Sequence, residues 1–232
     1  MSQTKTAKPA SVVALVPMRH ESERVPGKNY RLFGGEPLYR RIVRSLLDCR
    51  WISQIVIDTD SPVIMEDVRR HFPEIQLIER PLWLRGGSVP MNDVLLHDVQ
   101  QVAAEYYLQT HSTNPLLRAE TISRAIDVFQ HQYPVYDSLF SVTRIQSRLW
   151  DGLARPINHN PAILLRTQDL PPIYEENSCL YLFTRSNLEK RHNRIGERPL
   201  MFEIDPIESW DIDDELDFRV AEFLYQARGK GS

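Results

Sequence analysis

The 232-residue chain carries 28 basic and 31 acidic side chains, a formal charge of −3, so it has neither the basic face nor a recognisable module that would make DNA or RNA its main partner. Its only cysteines, Cys49 and Cys179, exclude a disulfide framework and fit a reducing cytoplasm. Met1–Lys8 is polar and carries lysines, and the apolar run after it is short and strand-like, which argues against a signal peptide or a membrane span and for one soluble domain.

The first predicted element, Val12–Met18, is an apolar strand that runs into a polar loop delivering Arg19, Arg24 and Lys28 to one place. A P-loop needs G-x-x-x-x-G-K-[ST], so that glycine amides wrap phosphate and a hydroxyl holds magnesium. Here the first glycine is missing and Asn29 follows Lys28, which leaves side-chain cations to grip a polyphosphate. Helix Leu38–Cys49, strand Gln54–Asp58, helix Val63–Phe72 and strand Gln76–Ile78 come next. Helix Asn92–Glu105, strand Tyr106–Gln109, helix Ala119–Gln130 and strand Leu139–Thr143 continue the alternation. Such a rhythm predicts an α/β fold of three layers, a mostly parallel sheet with helices on both faces and its ligands at the carboxyl ends of the strands. Arg19, Asp58 to Asp60, Arg80, Gln109 and His111 all fall at such ends.

The rhythm breaks over Arg144–Glu176, which is rich in proline yet keeps Leu149, Trp150, Ile163 and Leu164. A flexible linker would be poorer in such side chains, so this stretch is expected to be a small excursion packed on a second subunit. Strand Cys179–Thr184, a short helix near Asn187–Arg191, strand Met201–Ile204 and helix Asp214–Gln226 complete the chain. Between the last two lies Ser209–Phe218, where extended backbone would point Asp211 and Asp213 one way and Ile212 the other. Two such carboxylates suit a hard divalent ion that also takes phosphate oxygens and water, whereas an isolated D-x-D is better read as a helix cap. The triphosphate-gripping loop favours the metal.

These motifs resemble the acylneuraminate cytidylyltransferase family. Arg19, Ser22, Pro26, Lys28 and Asn29 match its opening R-x-x-S-x-x-x-P-x-K-N, and Asp211, Ile212, Asp213 and Asp217 match its D-I-D-x-x-x-D. Arg80, Pro81 and Leu84 match R-P-x-x-L, the segment Leu108–Leu117 is similar to L-Q-P-T-S-P-L, and Arg166 to Asn177 is similar to R-x-Q-[DEQ]-L-P followed by asparagine. The resemblance implies a nucleotide-diphospho-sugar transferase-like fold, a homodimer formed through residues 144–176, and transfer of CMP from CTP to a 2-keto sugar acid with release of pyrophosphate. It implies catalytic roles for Arg19, Lys28 and Asp211, nucleotide contacts from Met18, Arg19, Ser22, Lys28, Asn29 and Arg80, and Mg2+ held by Asp211 and Asp213. Sugar contacts would come from Gln109 or His111, from Arg166 and Gln168, and from Asn177; Asp217 would orient the metal pair.

Four residues, in three places, depart from the family. Gly87 stands where relatives often carry aspartate, Glu175 and Glu176 stand where some carry Arg-Pro, and Asp58 replaces a small residue. The second change reverses charge beside the sugar, so a GTP-dependent legionaminic-type enzyme and a CTP-dependent 3-deoxy-manno-octulosonate enzyme are the nearest rivals. A nucleotide-sugar glycosyltransferase usually carries its D-x-D in mid-chain, and a nucleotide-binding regulatory subunit would have no need of the paired end motifs.

Overall fold

The computed structural model describes residues 11–229; the Met1–Lys8 segment lies outside the described residues. Strand β1 (Val12–Met18) is buried along its whole length, as an unbroken apolar run must be when helices cover both faces. Its side chains alternate between two cores. Val12, Ala14 and Val16 pack with Ile42, Leu46, Ile64, Ile122 and Phe129, while Val13 and Leu15 pack with Leu95, Val99 and Leu188. Each fully buried valine or leucine contributes about 1.5–3 kcal/mol relative to exposure.

The remaining strands are the short β2 (Leu32–Phe33) and β3 (Glu36–Pro37), then β4 (Ile52–Thr59), β5 (Gln76–Glu79), β6 (Tyr106–Thr110), β7 (Ser138–Ile145), β8 (Ile173–Phe183) and β9 (Pro199–Glu203). The helices are α1 (Tyr39–Leu47), α2 (Pro62–His71), α3 (Met91–Gln101), α4 (Ala119–Gln132), α5 (Arg185–Arg191) and α6 (Glu215–Gly229). The main sheet runs β5-β4-β1-β6-β8-β7-β9. All its pairs are parallel except those made by β8, which is antiparallel to β6 and β7. The three-layer, mostly parallel architecture expected from the alternation is therefore the one observed.

Because β4 and β6 flank β1 on opposite sides, the order reverses there, and the crevice above the ends of β1 and β6 is where such sheets collect ligands. Helix α2 is started by Ser61, whose hydroxyl accepts from the Ile64 amide at 3.3 Å with Pro62 behind it. Helix α3 ends at Gln101 rather than Glu105, because Val102 turns extended and buries itself in the core. The β2–β3 hairpin escaped the periodicity reading; its signal was Gly34-Gly35, both at positive φ as a two-residue hairpin turn demands.

The proline-rich stretch is framed by a longer hairpin than expected. β7 runs to Ile145 and β8 begins at Ile173, so only residues 146–172 lie outside the hairpin, with a 3-10 turn at Thr167–Asp169. Asn158 holds the base of this arm together, donating to the carbonyls of Ser147 (2.7 Å) and Pro171 (3.2 Å) and accepting from the Leu149 amide (3.0 Å). Trp150, Leu153, Ile157, Ile163 and Leu164 stay exposed on it. Among the described residues no helix is long and apolar enough to cross a membrane.

Candidate active site

The opening loop is shaped by Gly27, whose φ of 65° starts a 3-10 turn over Lys28–Tyr30. A Cβ on Gly27 would meet the Tyr30 ring at 2.8 Å, so a side chain there would push the turn open. Val25, just before it, is buried with Phe33, Leu38, Ile212, Phe218 and Ala221. That small apolar cluster brings the two ends of the chain together. Ile212 plugs into it, and its flanking carboxylates are left on the outer side.

Two hydrogen bonds fix the junction. Lys28 Nζ donates to the Ile212 carbonyl, and the Ile212 amide donates to the Thr113 carbonyl at 2.9 Å. Asn29 spends its side-chain amide on the protein: it donates to the Arg19 carbonyl at 2.8 Å and accepts from the Ser112 hydroxyl at 2.7 Å. It ties the opening loop to the loop after β6. His20 ties the same loop to the end of β4, its amide donating to Asp60 at 2.7 Å and its Nδ1 lying 2.8 Å from the Ser61 hydroxyl.

The carboxylates divide their work. Asp214 accepts from the Leu216 and Asp217 amides, and Asp217 reaches back to the Asp213 and Asp214 amides at 3.0 Å each, a reciprocal cap on α6. Asp214 is thus the capping residue, and Asp217 fixes the backbone on which Asp213 sits. Asp213 pairs with Arg24 at 2.6 Å, half exposed. Asp211 has a buried Oδ1 without any partner. Burial pushes the Asp211 carboxyl above its ordinary range, with Asp213 as a like charge adding to the rise. Burial likewise lowers the Lys28 ammonium, against the opposing pull of Asp211 and Asp213.

Two cavities lie against this junction from different sides, one lined by Lys28 and Thr113, the other by Asp211 and Asp213. One, of about 390 Å³, is lined by Met18, Arg19, Ser22, Arg24, Lys28, Asn29, Arg80, His111 and Thr113 among others. Its cations suit polyphosphate. Arg80 enters its floor while only 2% exposed, held by the Asp58 carboxylate. Gly87 is also on its wall, and a Cβ there would lie 3.3 Å from the Arg19 guanidinium and 3.4 Å from the Glu23 carboxylate. The second cavity, of about 400 Å³, is lined by Thr143, Glu175, Glu176, Asn177, Ser209, Trp210, Asp211 and Asp213. It is acidic and has no basic lining residue.

The remaining candidates separate. His111 lines the cationic cavity and Gln109 lies behind it, fully buried, donating to the His111 Nε2 at 2.9 Å. Arg194, which no motif singled out, donates to Gln109 Oε1 and stacks over Tyr181 at 3.5 Å. Burial first, then Arg194 and Lys28, pushes the His111 imidazole down to about 3, so it is neutral at physiological pH and accepts from Gln109 through Nε2. Asn177 lines the acidic cavity, but its side chain is engaged, donating to Thr143 at 2.9 Å and accepting from Ser141 and the Cys179 amide. Arg166 and Gln168 sit exposed on the arm, and Arg166 pairs with Asp169 at 2.7 Å. Neither lines either cavity.

An open α/β sheet thus carries a cation-lined crevice at its switch point, beside a carboxylate pair. The chain belongs to the cytidylyltransferase family, which it matches over residues 13–228. It is 26% identical over 232 residues to N-acylneuraminate cytidylyltransferase A of Danio rerio, covering 94% of this chain and 51% of that protein. It is 28% identical to CMP-N,N'-diacetyllegionaminic acid synthase of Legionella pneumophila, covering 93% of this chain and 96% of that one. The chain spans about half the length of the fish relatives it matches, 49% to 51%. In fold it is similar to CMP:2-keto-3-deoxy-manno-octonic acid synthetase complexed with CTP, with a TM-score of 0.71 and 14% identity over 94% of this chain and 100% of that one. A 4-diphosphocytidyl-2C-methyl-D-erythritol synthase of Anaerococcus prevotii gives 0.69 at 11% identity, covering 94% and 97%.

Proposed function

We propose that the protein transfers CMP from CTP to a sialic acid-like 2-keto sugar acid, giving the CMP-sugar and pyrophosphate. The observation that carries this reading is the junction itself: Lys28 of the cationic cavity donates to Ile212, between the two carboxylates of the acidic one. Arg19, Arg24 and Lys28 would neutralise the phosphates and Arg80 would meet the base. The sugar's anomeric hydroxyl would attack the α-phosphorus as the bond to the departing pyrophosphate breaks, and positioning would supply most of the acceleration. The partnerless, buried Asp211 Oδ1 fits a cation, so Asp211 and Asp213 are the residues to hold Mg2+, with Arg24 released from Asp213 toward phosphate. Bound there, the ion would draw phosphate oxygens and lower the pKa of the attacking hydroxyl.

The family and the two end motifs support CTP. Pyrophosphate release is expected to be well above that with GTP, ATP or UTP when Mg2+ and a suitable acceptor are present; preferential use of GTP would overturn the cytidylyl assignment and favour the legionaminic-type alternative. The same assay, run across a panel of 2-keto sugar acids, tests the acceptor. Glu175 and Glu176 exclude a sugar carboxylate from their side of the acidic cavity, so it belongs toward the cationic junction. A chain that binds CTP and turns over none of the panel would be a binding module instead.

A homodimer completes this reading. Trp150, Ile163 and Leu164 are half or more exposed on an arm that points Arg166 and Gln168 away from their own cavities, which only a second copy would bring to a site. Light scattering at micromolar concentration is expected to give twice the chain mass, and Leu164→Asp to shift it toward monomer; a monomeric parent removes the idea. Two buried free cysteines suit a cytoplasmic setting.

A further inference from the structure

Beneath Arg80 lies a group of acids that the proposed reaction does not use. Asp58, at the end of β4, is fully buried, and its Oδ1 receives the Arg80 Nε while its carbonyl receives Nη2 at 3.3 Å. Asp98, on α3, is 1% exposed and faces it. Oδ2 of Asp58 and Oδ2 of Asp98 are both buried and without a donor. The remaining titratable group at the pair is His97, whose Nδ1 is 3.4 Å from Asp98 Oδ1 and 4.0 Å from Asp58 Oδ2. Its ring meets Trp83 edge-on, and it reaches neither orphaned oxygen closely.

Two ionised acids and one guanidinium would leave a buried net negative charge with two carboxylates in repulsion. A single proton on the facing oxygens removes both faults. It leaves Asp58 as a pure acceptor with Oδ1 committed to Arg80. A divalent ion in the same place would lie against the Arg80 guanidinium, and a proton meets no such repulsion. We propose that Asp98 is a positioning residue: protonated, it donates to Asp58 and so locks the carboxylate that holds Arg80 at the floor of the cationic cavity. Burial first, and then the Asp58 charge, push the Asp98 carboxyl up to about 9, which keeps the proton in place through the physiological range. The inference rests on the nucleotide reading of that cavity for its effect on CTP, but not for the proton itself.

The sign for stability follows from that rise. The folded state holds a proton that the unfolded chain releases near the ordinary carboxylate range, so the parent loses stability as pH rises from about 4 toward 9, and levels off above. Asp98→Asn places an amide donor where the acid O–H stood and has no proton to retain. It is expected to keep CTP affinity within about twofold, where Asp98→Leu, which can donate nothing to Asp58, weakens it by about tenfold, and to gain thermal stability over the parent, a gain that widens as pH rises. Asp58→Asn removes the charge that holds Arg80 and should weaken CTP by about tenfold or more. The infrared spectrum of the parent at neutral pH should show a protonated-carboxyl band that is absent in Asp98→Asn. Absence of that band, loss of CTP affinity in Asp98→Asn as large as in Asp58→Asn, or a stoichiometric metal in the parent that Asp98→Asn lacks would each overturn the proposal. If the parent binds no CTP, the nucleotide reading fails, while the band and the pH-dependent stability gain still decide the proton.

Discussion

Asp211→Asn is expected to lower kcat for pyrophosphate release by about 100-fold or more, equivalent to ~2.7 kcal/mol of transition-state stabilisation, while the protein stays folded. The substitution keeps size and hydrogen-bonding capacity but removes the charge proposed to hold Mg2+ at the reacting phosphates. The fold has no stake in that charge, because burial already raises the Asp211 carboxyl and Asp213 adds repulsion. Melting temperature should hold or rise. CTP affinity should fall less than kcat, since Arg19, Arg24 and Lys28 still grip the phosphates. A folded Asp211→Asn protein that turns over at the parent's rate would remove the metal role.

Lys28→Met is expected to cost about 100-fold or more in kcat/KM, with both CTP binding and turnover affected. Lys28 is only 9% exposed and lies between the cationic cavity and the carboxylate pair, where its ammonium reaches the Ile212 carbonyl. Burial lowers its pKa, which means the folded protein is penalised for holding the ammonium below that value and relieved as pH rises through it. The methionine variant should therefore lose little stability beyond its hydrogen bond to the Ile212 carbonyl. The same shift brings the alkaline fall of parent activity below the ordinary lysine range. Turnover by Lys28→Met within a few-fold of the parent would sink the role of Lys28, as measured by steady-state pyrophosphate release with CTP varied.

Local pattern carried a great deal here. An unbroken apolar run specified β1 as a strand covered on both faces, and its end placed Arg19 at the ligand edge of the sheet. Alternation specified that Ile212 would be buried and the flanking aspartates turned away from it, and Ile212 is fully buried.

What periodicity encodes is whether a position faces core or water, because that depends on neighbours a few residues away. Which partner a polar group finds depends on residues far along the chain, and there the tertiary structure decided. Lys28 meets the Ile212 carbonyl across 184 positions only because Val25 and Ile212 share one apolar cluster. Asn29 and Asn177, read as ligand contacts, have their side chains engaged by the protein; Arg166 and Gln168 stand on an exposed arm; and Arg194 supports Gln109 without any motif to mark it. In sequence Asp58 shows only as an acid at a strand end where the resembling family has a small residue. Only its burial against Arg80 and Asp98 makes it the anchor of a charge balance, because the cost of an unpaired carboxylate is set by the low dielectric around it and by through-space distance, neither of which is written in the order of residues.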